Sequence, residues 1–272
     1  MSGMLGSLSD ADRQTAAETF GAVALAAGRV VMDIYAGAAN ARQKADSSPV
    51  CDADERAEAS ILAALAKAAP GIPVIAEESV ARGVVPACGE TFILVDPLDG
   101  TREFLARNGE FTVNLALIER GAPVAGAVYA PALEKLWIGG ATASLIRVAP
   151  GAAMPPQAER RSIQTRAAPA DGLVALCSRS HGEAQTEAFL RERRIARRVN
   201  IGSSLKFCLI AEGEADVYPR FGPTMEWDIA AGDAVLRAAG GCVLGEDGAP
   251  MVYGKRDDQY RNGPFVAWGR RS

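Results

Sequence analysis

The stretch Phe92-Ile93-Leu94-Val95-Asp96-Pro97-Leu98-Asp99-Gly100-Thr101 runs four apolar residues directly into a turn of acids, proline and glycine. An apolar run without polar alternation reads as a strand buried on both faces. Pro97 fixes its own φ and Gly100 permits a tight reversal. The turn can therefore throw Asp96 and Asp99 to one side, with the Leu98 carbonyl between them. Three oxygens converging from a rigid turn suit a hard cation. A helix beginning after Thr101 would also aim free N–H groups at an anion. The same residues make an ordinary β-turn, and the segment alone leaves both readings standing.

Upstream, Phe20, Ala24, Ala27, Val31 and Ile34 recur at helical spacing and predict a long helix from Asp10 to about Ala36. After a polar loop containing Lys44 to Pro49, a second helix is expected from Ala53 to Ala69. Ala57, Ile61, Leu62 and Leu65 mark its apolar face, and Pro70 and Gly71 end it. Pro73 to Ala76 reads as a short strand that runs into Glu77 and Glu78. Downstream, Phe111 to Ile118, Val124 to Tyr129, Lys135 to Ile138 and Ala143 to Val148 read as an antiparallel meander, and helices followed by a meander indicate α+β. Ala149 to Ala170, rich in Pro, Ala, Arg and Gln, reads as a linker. Beyond it strand and helix alternate in α/β fashion, with strands at Leu173 to Cys177 and at Val217 and Tyr218. Helices are expected at Glu183 to Arg193, Ser204 to Glu212 and Ile229 to Ala239, and final strands around Val243 and Val266. The expected division is an N-terminal α+β domain over 1–150 and a C-terminal α/β domain over 151–272.

The chain has 272 residues, 49% of them apolar and only 6% aromatic, so Ala, Val, Leu and Ile must fill the core. Its 33 acids against 29 bases leave no basic excess to hold a nucleic-acid backbone. The five cysteines are odd in number and scattered, which argues against a disulfide framework or a Cys-rich zinc site and for a reducing cytoplasm. His181 is the only histidine, so His-built zinc sites and two-histidine mechanisms are nearly excluded. Hydrolytic chemistry must then come from carboxylates, hydroxyls or an oxygen-bound metal. Met1 to Gln14 lacks an apolar secretory core. Arg29 and Asp33 interrupt the apolar stretch Gly21 to Ala39, which reads as a buried amphipathic helix and not a membrane span.

Further acids stand where elements begin or end. Glu77-Glu78 follows a strand, Asp52 and Asp54 open a helix, and Trp227-Asp228 precedes another. Singly, the glutamates read as a solvated loop and the aspartates as helix caps. In their order and wide separation, however, Glu77-Glu78, Asp96 to Thr101 and Trp227-Asp228-Ile229-Ala230-Ala231-Gly232 resemble the lithium-sensitive, magnesium-dependent phosphatase superfamily that includes the inositol monophosphatases. The resemblance runs from about Phe20 to the C-terminus. Arg102 to Phe104, Asn108 to Asn114, Ser178 to His181, Gly202 to Cys208 and Tyr218 to Thr224 further resemble its bacterial 3′(2′),5′-bisphosphate nucleotidase branch.

The resemblance implies a two-domain αβαβα layered sandwich of the inositol monophosphatase and sugar phosphatase fold, with the active site between the domains. It implies two to three Mg²⁺ ions as cofactor. Glu77, Asp96 and the Leu98 carbonyl would hold the first, Asp96, Asp99 and Asp228 the second, and a weaker third would lie near Glu77. Asp54 and Thr101, with Glu77 in the catalytic set, would orient and deprotonate the attacking water. Ser203, Ser204 and Lys206 would grip the phosphate that is not cleaved. Gly202 would let the backbone approach it, and Arg220 would add charge. Gly100, Thr101, His181 and Asp228 complete the implied substrate contacts. His181 reads equally as a surface loop histidine, and Lys44 as a basic residue near the metals or an ordinary solvated lysine.

Two residues depart from the family's pattern. Cys51, three residues before Asp54, stands where related sequences usually carry a small hydroxyl residue. A thiol donates weakly, so a local hydrogen bond is at risk, and the thiol is either oxidation-sensitive or buried and inert. Glu226 either complements a helix N-terminus or points inward and weakens anion binding. The implied reaction is hydrolysis of adenosine 3′,5′-bisphosphate to AMP and phosphate, linked to sulfur assimilation, with the sulfated nucleotide as a second substrate candidate. An inositol- or sugar-phosphate phosphatase is the near alternative, and a non-catalytic nucleotide sensor the distant one. The expected partner is a small nucleotide bisphosphate, without nucleic acid or a transmembrane segment. The expected place is the cytoplasm, with peripheral contact to the inner membrane and the oligomeric state left open.

Overall fold

The computed structural model describes residues 7–37, 41–43, 49–179 and 184–270. The chain opens with α1 (Asp10–Tyr35), β1 (Ala41–Gln43), β2 (Pro49–Cys51), α2 (Asp52–Ala68), β3 (Val74–Ala76), α3 (Glu77–Ala81), β4 (Thr91–Asp99) and α4 (Thr101–Leu105). The meander follows as β5 (Thr112–Glu119), β6 (Ala122–Ala130), β7 (Lys135–Gly139), β8 (Ala143–Arg147) and β9 (Arg161–Ser162). The remainder is β10 (Leu173–Ser178), α5 (Ala184–Arg191), β11 (Ile195–Ile201), α6 (Leu205–Ala211), β12 (Val217–Arg220), β13 (Thr224–Met225), α7 (Glu226–Ala238), β14 (Cys242–Gly245), β15 (Arg261–Asn262) and β16 (Phe265–Trp268).

Strands β3 to β9 form a seven-stranded sheet in sequence order. Its first pair is parallel and the rest antiparallel. A second, mixed sheet of five strands has the order β11-β10-β12-β16-β14. Side-chain alternation along β4 explains how the layers stack. Ile93 and Val95 enter one core with Phe20, Val31, Ile61 and Leu65 of α1 and α2. Phe92 and Leu94 enter another with Phe207 of α6, Ile229 and Leu236 of α7, and Phe265 of the second sheet. The outer face of that second sheet holds Ala175 and Val217 against Leu190 of α5. The order is therefore helix, sheet, helix, sheet, helix, and β4, buried on both faces, lies in the second layer, between α1/α2 and α6/α7. This is the αβαβα layered arrangement that the family resemblance implies.

Two glycines set how closely α7 lies on the first sheet. A Cβ at Gly126 would come within 2.8 Å of the Ala231 carbonyl oxygen, and one at Gly139 within 2.5 Å of the Val235 Cα. Any side chain there would lift the helix off the sheet. Ile229, Val235 and Leu236 are buried at this seam and offer roughly 5–9 kcal/mol before the entropy of ordering them is subtracted. Helix α1 is long and apolar enough by composition to cross a bilayer, but 50% of its most apolar window is buried inside the protein. It serves as a core helix, and its exposed face carries the Arg29–Asp33 ion pair.

The linker region carries β9, so the first sheet continues to Ser162 before the chain crosses to the second. Strand β11 was not expected. It is an edge strand with Ala196, Arg197 and Arg198 exposed, so no apolar run announces it. Helix α7 begins at Glu226, three residues before the predicted start.

Candidate active site

The turn after Val95 is part of β4 and contains a β-bulge. Asp96 faces Asn114 and Asp99 faces Thr112, so two residues on β4 stand against one on β5. In a regular strand, residues three apart point to opposite faces. The extra residue turns Asp96 and Asp99 to the same side. Both line a cavity of about 290 Å³ with Glu77, the Leu98 carbonyl region, Thr101 and Asp228. Gly100 takes φ +93°, and a Cβ there would sit 3.1 Å from the Glu110 carbonyl oxygen. Only glycine makes this reversal without strain. Phe104 and Phe111, with ring centroids 5.1 Å apart, anchor the following helix beneath the turn.

Each carboxylate is fixed by its own local donors. Asp96 accepts the Leu98 N–H at 2.9 Å. Asp99 accepts Ser203 Oγ at 2.7 Å, the Ser204 N–H at 2.6 Å and Ser204 Oγ at 3.1 Å, all on one oxygen. Asp228 accepts the Met225 N–H at 2.7 Å. It is thus the third residue of α7 reaching back to the cap and not the cap itself, which corrects the simple capping expectation. Asp54 plays the same part in α2. One oxygen takes the Cys51 N–H at 2.9 Å and Cys51 Sγ at 3.0 Å, while the other takes Thr101 Oγ1 at 3.0 Å.

Burial, then Glu77, Asp99 and Asp228, holds the Asp96 carboxyl well above the usual range. Asp228 is raised in the same direction by burial and then by Asp99 and Glu77. These acids therefore repel one another at neutral pH, and a bound divalent cation would relieve the repulsion. The donor set is all oxygen, as Mg²⁺ requires, and Mg²⁺ keeps several waters, so few protein ligands per ion suffice. Among the described residues, no three acid, cysteine or histidine side chains close around one point as a dry metal cage would.

The inositol monophosphatase family matches residues 12–264. The chain belongs to that family. It is an enzyme of the phosphatase kind, and its likeness to relatives extends over most of its length. It is 43% identical to the 3′(2′),5′-bisphosphate nucleotidase CysQ of Escherichia coli O157:H7, over 85% of this chain and 91% of that protein. The crystal structure of CysQ from Bacteroides thetaiotaomicron, a bacterial member of the family, superimposes with a TM-score of 0.79 at 36% identity. It covers 95% of this chain and 98% of that one. An inositol monophosphatase from Anabaena shares the fold with a TM-score of 0.72 at 24% identity, over 94% of this chain and 91% of that one.

Against this family's expected substrate side, the structure puts Lys206 and Arg220 on the wall of the same cavity as the acids. Lys206 is 5% exposed and donates to the Ser203 and Ile201 carbonyls at 2.7 and 3.2 Å. Burial pushes its ammonium group down to about 8, against the pull of Asp99. Ser203, at φ +55°, and Ser204 turn their hydroxyls to Asp99. The Ser204 hydroxyl also reaches the Asp228 carbonyl at 2.7 Å, and both serines line the cavity beside Lys206. His181 and Lys44 lie outside the described residues.

Both departures from the family pattern resolve locally. Cys51 is fully buried and its thiol keeps the hydrogen bond to Asp54. Burial and Asp54 push that thiol up to about 12, so it is protonated and poorly nucleophilic. Glu226 is fully buried but turned from the cleft. It pairs with Lys255 Nζ at 2.8 Å and accepts the Gly254 and Lys255 N–H groups.

Three supporting groups escaped the sequence reading. Glu58 is 1% exposed. It accepts the Glu78 N–H at 2.7 Å and Ser79 Oγ at 2.7 Å, which fixes the backbone beside Glu77. Its signal was present, since Glu58 falls one turn after Asp54 on the buried face that carries Ala57 and Ile61. Glu110 clamps Arg179 at 2.6 and 3.0 Å and accepts the Gly202 N–H at 2.8 Å. Thr112 and Asn114 reach across from β5 to Ser203 at 2.6 Å and Ser204 at 3.0 Å, completing the frame around Asp99.

Proposed function

We propose that the protein is a Mg²⁺-dependent 3′(2′),5′-bisphosphate nucleotidase that hydrolyses adenosine 3′,5′-bisphosphate to AMP and phosphate. The observation that carries this reading is a single cavity lined both by the acids and by the buried Lys206 and Arg220. A simple phosphomonoester needs only the acidic, metal-binding groups, whereas a bisphosphate also uses the cations. The similarity to bisphosphate nucleotidases supports the same choice.

Glu77, Asp96, the Leu98 carbonyl, Asp99 and Asp228 would hold the ions. When bound, Mg²⁺ supplies charge that offsets the phosphate oxygens, lowers the pKa of water and stabilises the leaving oxygen. The chain's own residues do the rest. Thr101 gives its hydroxyl proton to Asp54 in a 3.0 Å hydrogen bond, so a lone pair on Thr101 Oγ1 is left to orient a water and receive its proton. Asp54, fixed by Cys51, is the final base. Water attacks phosphorus as the phosphorus–oxygen bond to the sugar breaks, so no protein nucleophile is required. Lys206 and Arg220 hold the phosphate that remains.

The proposed setting is the cytoplasm and the turnover of nucleotides from sulfur assimilation. No membrane attachment forms part of it. The test is phosphate release, with Mg²⁺ and with chelator, from adenosine 3′,5′-bisphosphate, its sulfated form, inositol 1-phosphate and fructose 1,6-bisphosphate. The bisphosphorylated nucleosides should give the highest kcat/KM, activity should vanish in chelator, and Li⁺ should inhibit. Preference for inositol phosphate would favour the alternative phosphatase. Absence of release from every substrate would favour a nucleotide sensor.

A further inference from the structure

A second cavity, of about 610 Å³, opens between the edges of the two sheets and shares no lining residue with the acidic cleft. We propose that it is a binding site for a small amphipathic organic anion. Its volume lies within the range of roughly 300–1,000 Å³ that small-molecule sites occupy.

The walls combine two chemistries. Leu145, Val174, Leu176 and Leu209 supply an apolar floor. Lys135, Arg147, Arg161 and Arg197 supply a cationic rim. The register shows why these charges converge. Lys135 stands directly opposite Arg147 on β7 and β8, and Trp137 opposite Leu145. Leu145 in turn faces Arg161 on β9. Leu145 and Trp137 belong to the core between the sheets, so the period of two puts all three cations on that same face. From the second sheet, Val199 packs on that core and Arg197, two residues earlier, shares its side. Arg198 points the other way and pairs with Glu187 of α5 at 2.8 Å.

Like charges directly opposed across a ladder are destabilising, so the rim needs a reason. Two acids line the cavity, Glu212 and Glu214. Glu212 is engaged by Arg161 and by Trp137 Nε1, the latter at 2.8 Å. Among the described residues, the side chains of Arg147 and Arg197 form neither an ion pair nor a hydrogen bond, while their backbones pair in the ladders. Lys135 lies over the Trp137 ring, 5.6 Å from its centroid. A hydrocarbon would leave these cations uncompensated, and a bare inorganic anion would leave the floor unused. A molecule with a flat apolar body and an acidic head satisfies both.

The probe is 1-anilinonaphthalene-8-sulfonate, followed by its fluorescence on titration into the full chain. Saturable binding at one site is expected. The Arg147→Glu, Arg197→Glu double variant should bind at least tenfold more weakly, whereas Arg56→Glu, a single charge reversal on α2 away from the cavity, should bind as the parent does. Neither adenosine 3′,5′-bisphosphate nor an equal concentration of inorganic sulfate should displace the probe. Binding of the double variant within twofold of the parent overturns the site, as does full displacement by the nucleotide. Displacement by equimolar sulfate overturns the amphipathic character. Melting curves establish that the double variant is folded. Should it not fold, Arg197→Gln on the exposed edge strand carries the test, and unchanged binding there overturns the proposal.

Discussion

Helix α7 carries two aspartates five residues apart that live under opposite rules. Asp233, fully buried, is held by Arg237 at 2.7 and 3.0 Å and by the Tyr253 hydroxyl at 2.8 Å. Burial raises its pKa, but Arg237 pulls against that rise. Asp228 is raised by burial and again by Asp99 and Glu77. The same contrast recurs across the molecule. Asp216 is matched to Arg166, Glu58 to Arg82 and Glu226 to Lys255. Where an acid serves the fold, a cation meets it; where acids gather against one another, their repulsion is stored for a ligand.

The largest effect that would break this contrast is on turnover. With saturating Mg²⁺, Asp228→Asn should lose roughly 10³-fold in kcat, in the range set by deleting an electrostatic group from an active site. Asp233→Asn should keep most of its kcat but lose about 3 kcal/mol of stability, because it leaves Arg237 without its buried partner. Phosphate release and urea unfolding on both variants give the answer. Should Asp233→Asn lose turnover as heavily as Asp228→Asn, the division between fold and function in α7 fails.

A smaller effect sharpens the contrast through stability. Asp99→Asn keeps a carbonyl oxygen for Ser203 and Ser204 while removing one charge. In chelator it should melt no lower than the parent. Mg²⁺ at ~100 times its dissociation constant should stabilise the parent by about 2.7 kcal/mol per ion, and the variant by far less. A variant that melts well below the parent in chelator would make Asp99 a structural turn residue.

The smallest effect concerns the cations of the cavity wall. Lys206 has a pKa lowered to about 8, so it is charged below that pH and neutral above it. Preference for a bisphosphate over a monophosphate should therefore fall severalfold between pH 7 and pH 9. Lys206→Met should begin at the low preference and stay flat. A pH-independent preference in the parent would remove Lys206 from substrate recognition.

The sequence made some of this visible and hid the rest for definite reasons. The Phe92 to Val95 run announced β4 because burial on both faces leaves no room for polar alternation. Asp96, Asp99 and Asp228 were legible as acids at element boundaries. That the first two point the same way depends on a bulge visible only once β5 is paired beside β4. Strand β11 was hidden because edge exposure permits arginines where a central strand would need valines. The serines of the Ser203–Ser204 segment were read by resemblance as phosphate contacts. Their bonds to Asp99 depend on the left-handed backbone at Ser203, which no local pattern encodes.

The placement of the three indoles has a spectroscopic consequence. Trp227 adjoins Asp228 and sits 6.1 Å from Tyr260. Trp137 hydrogen-bonds Glu212 at the wall of the inter-sheet cavity. Trp268 lies on the outer face, 6.0 Å from Phe189 and 5.8 Å from the Arg193 guanidinium. Fluorinated tryptophan would thus give three resonances, one each for the acidic cleft, the seam between the sheets and the outer helix. Each region of the stack would report in its own channel without any label being added to the surface.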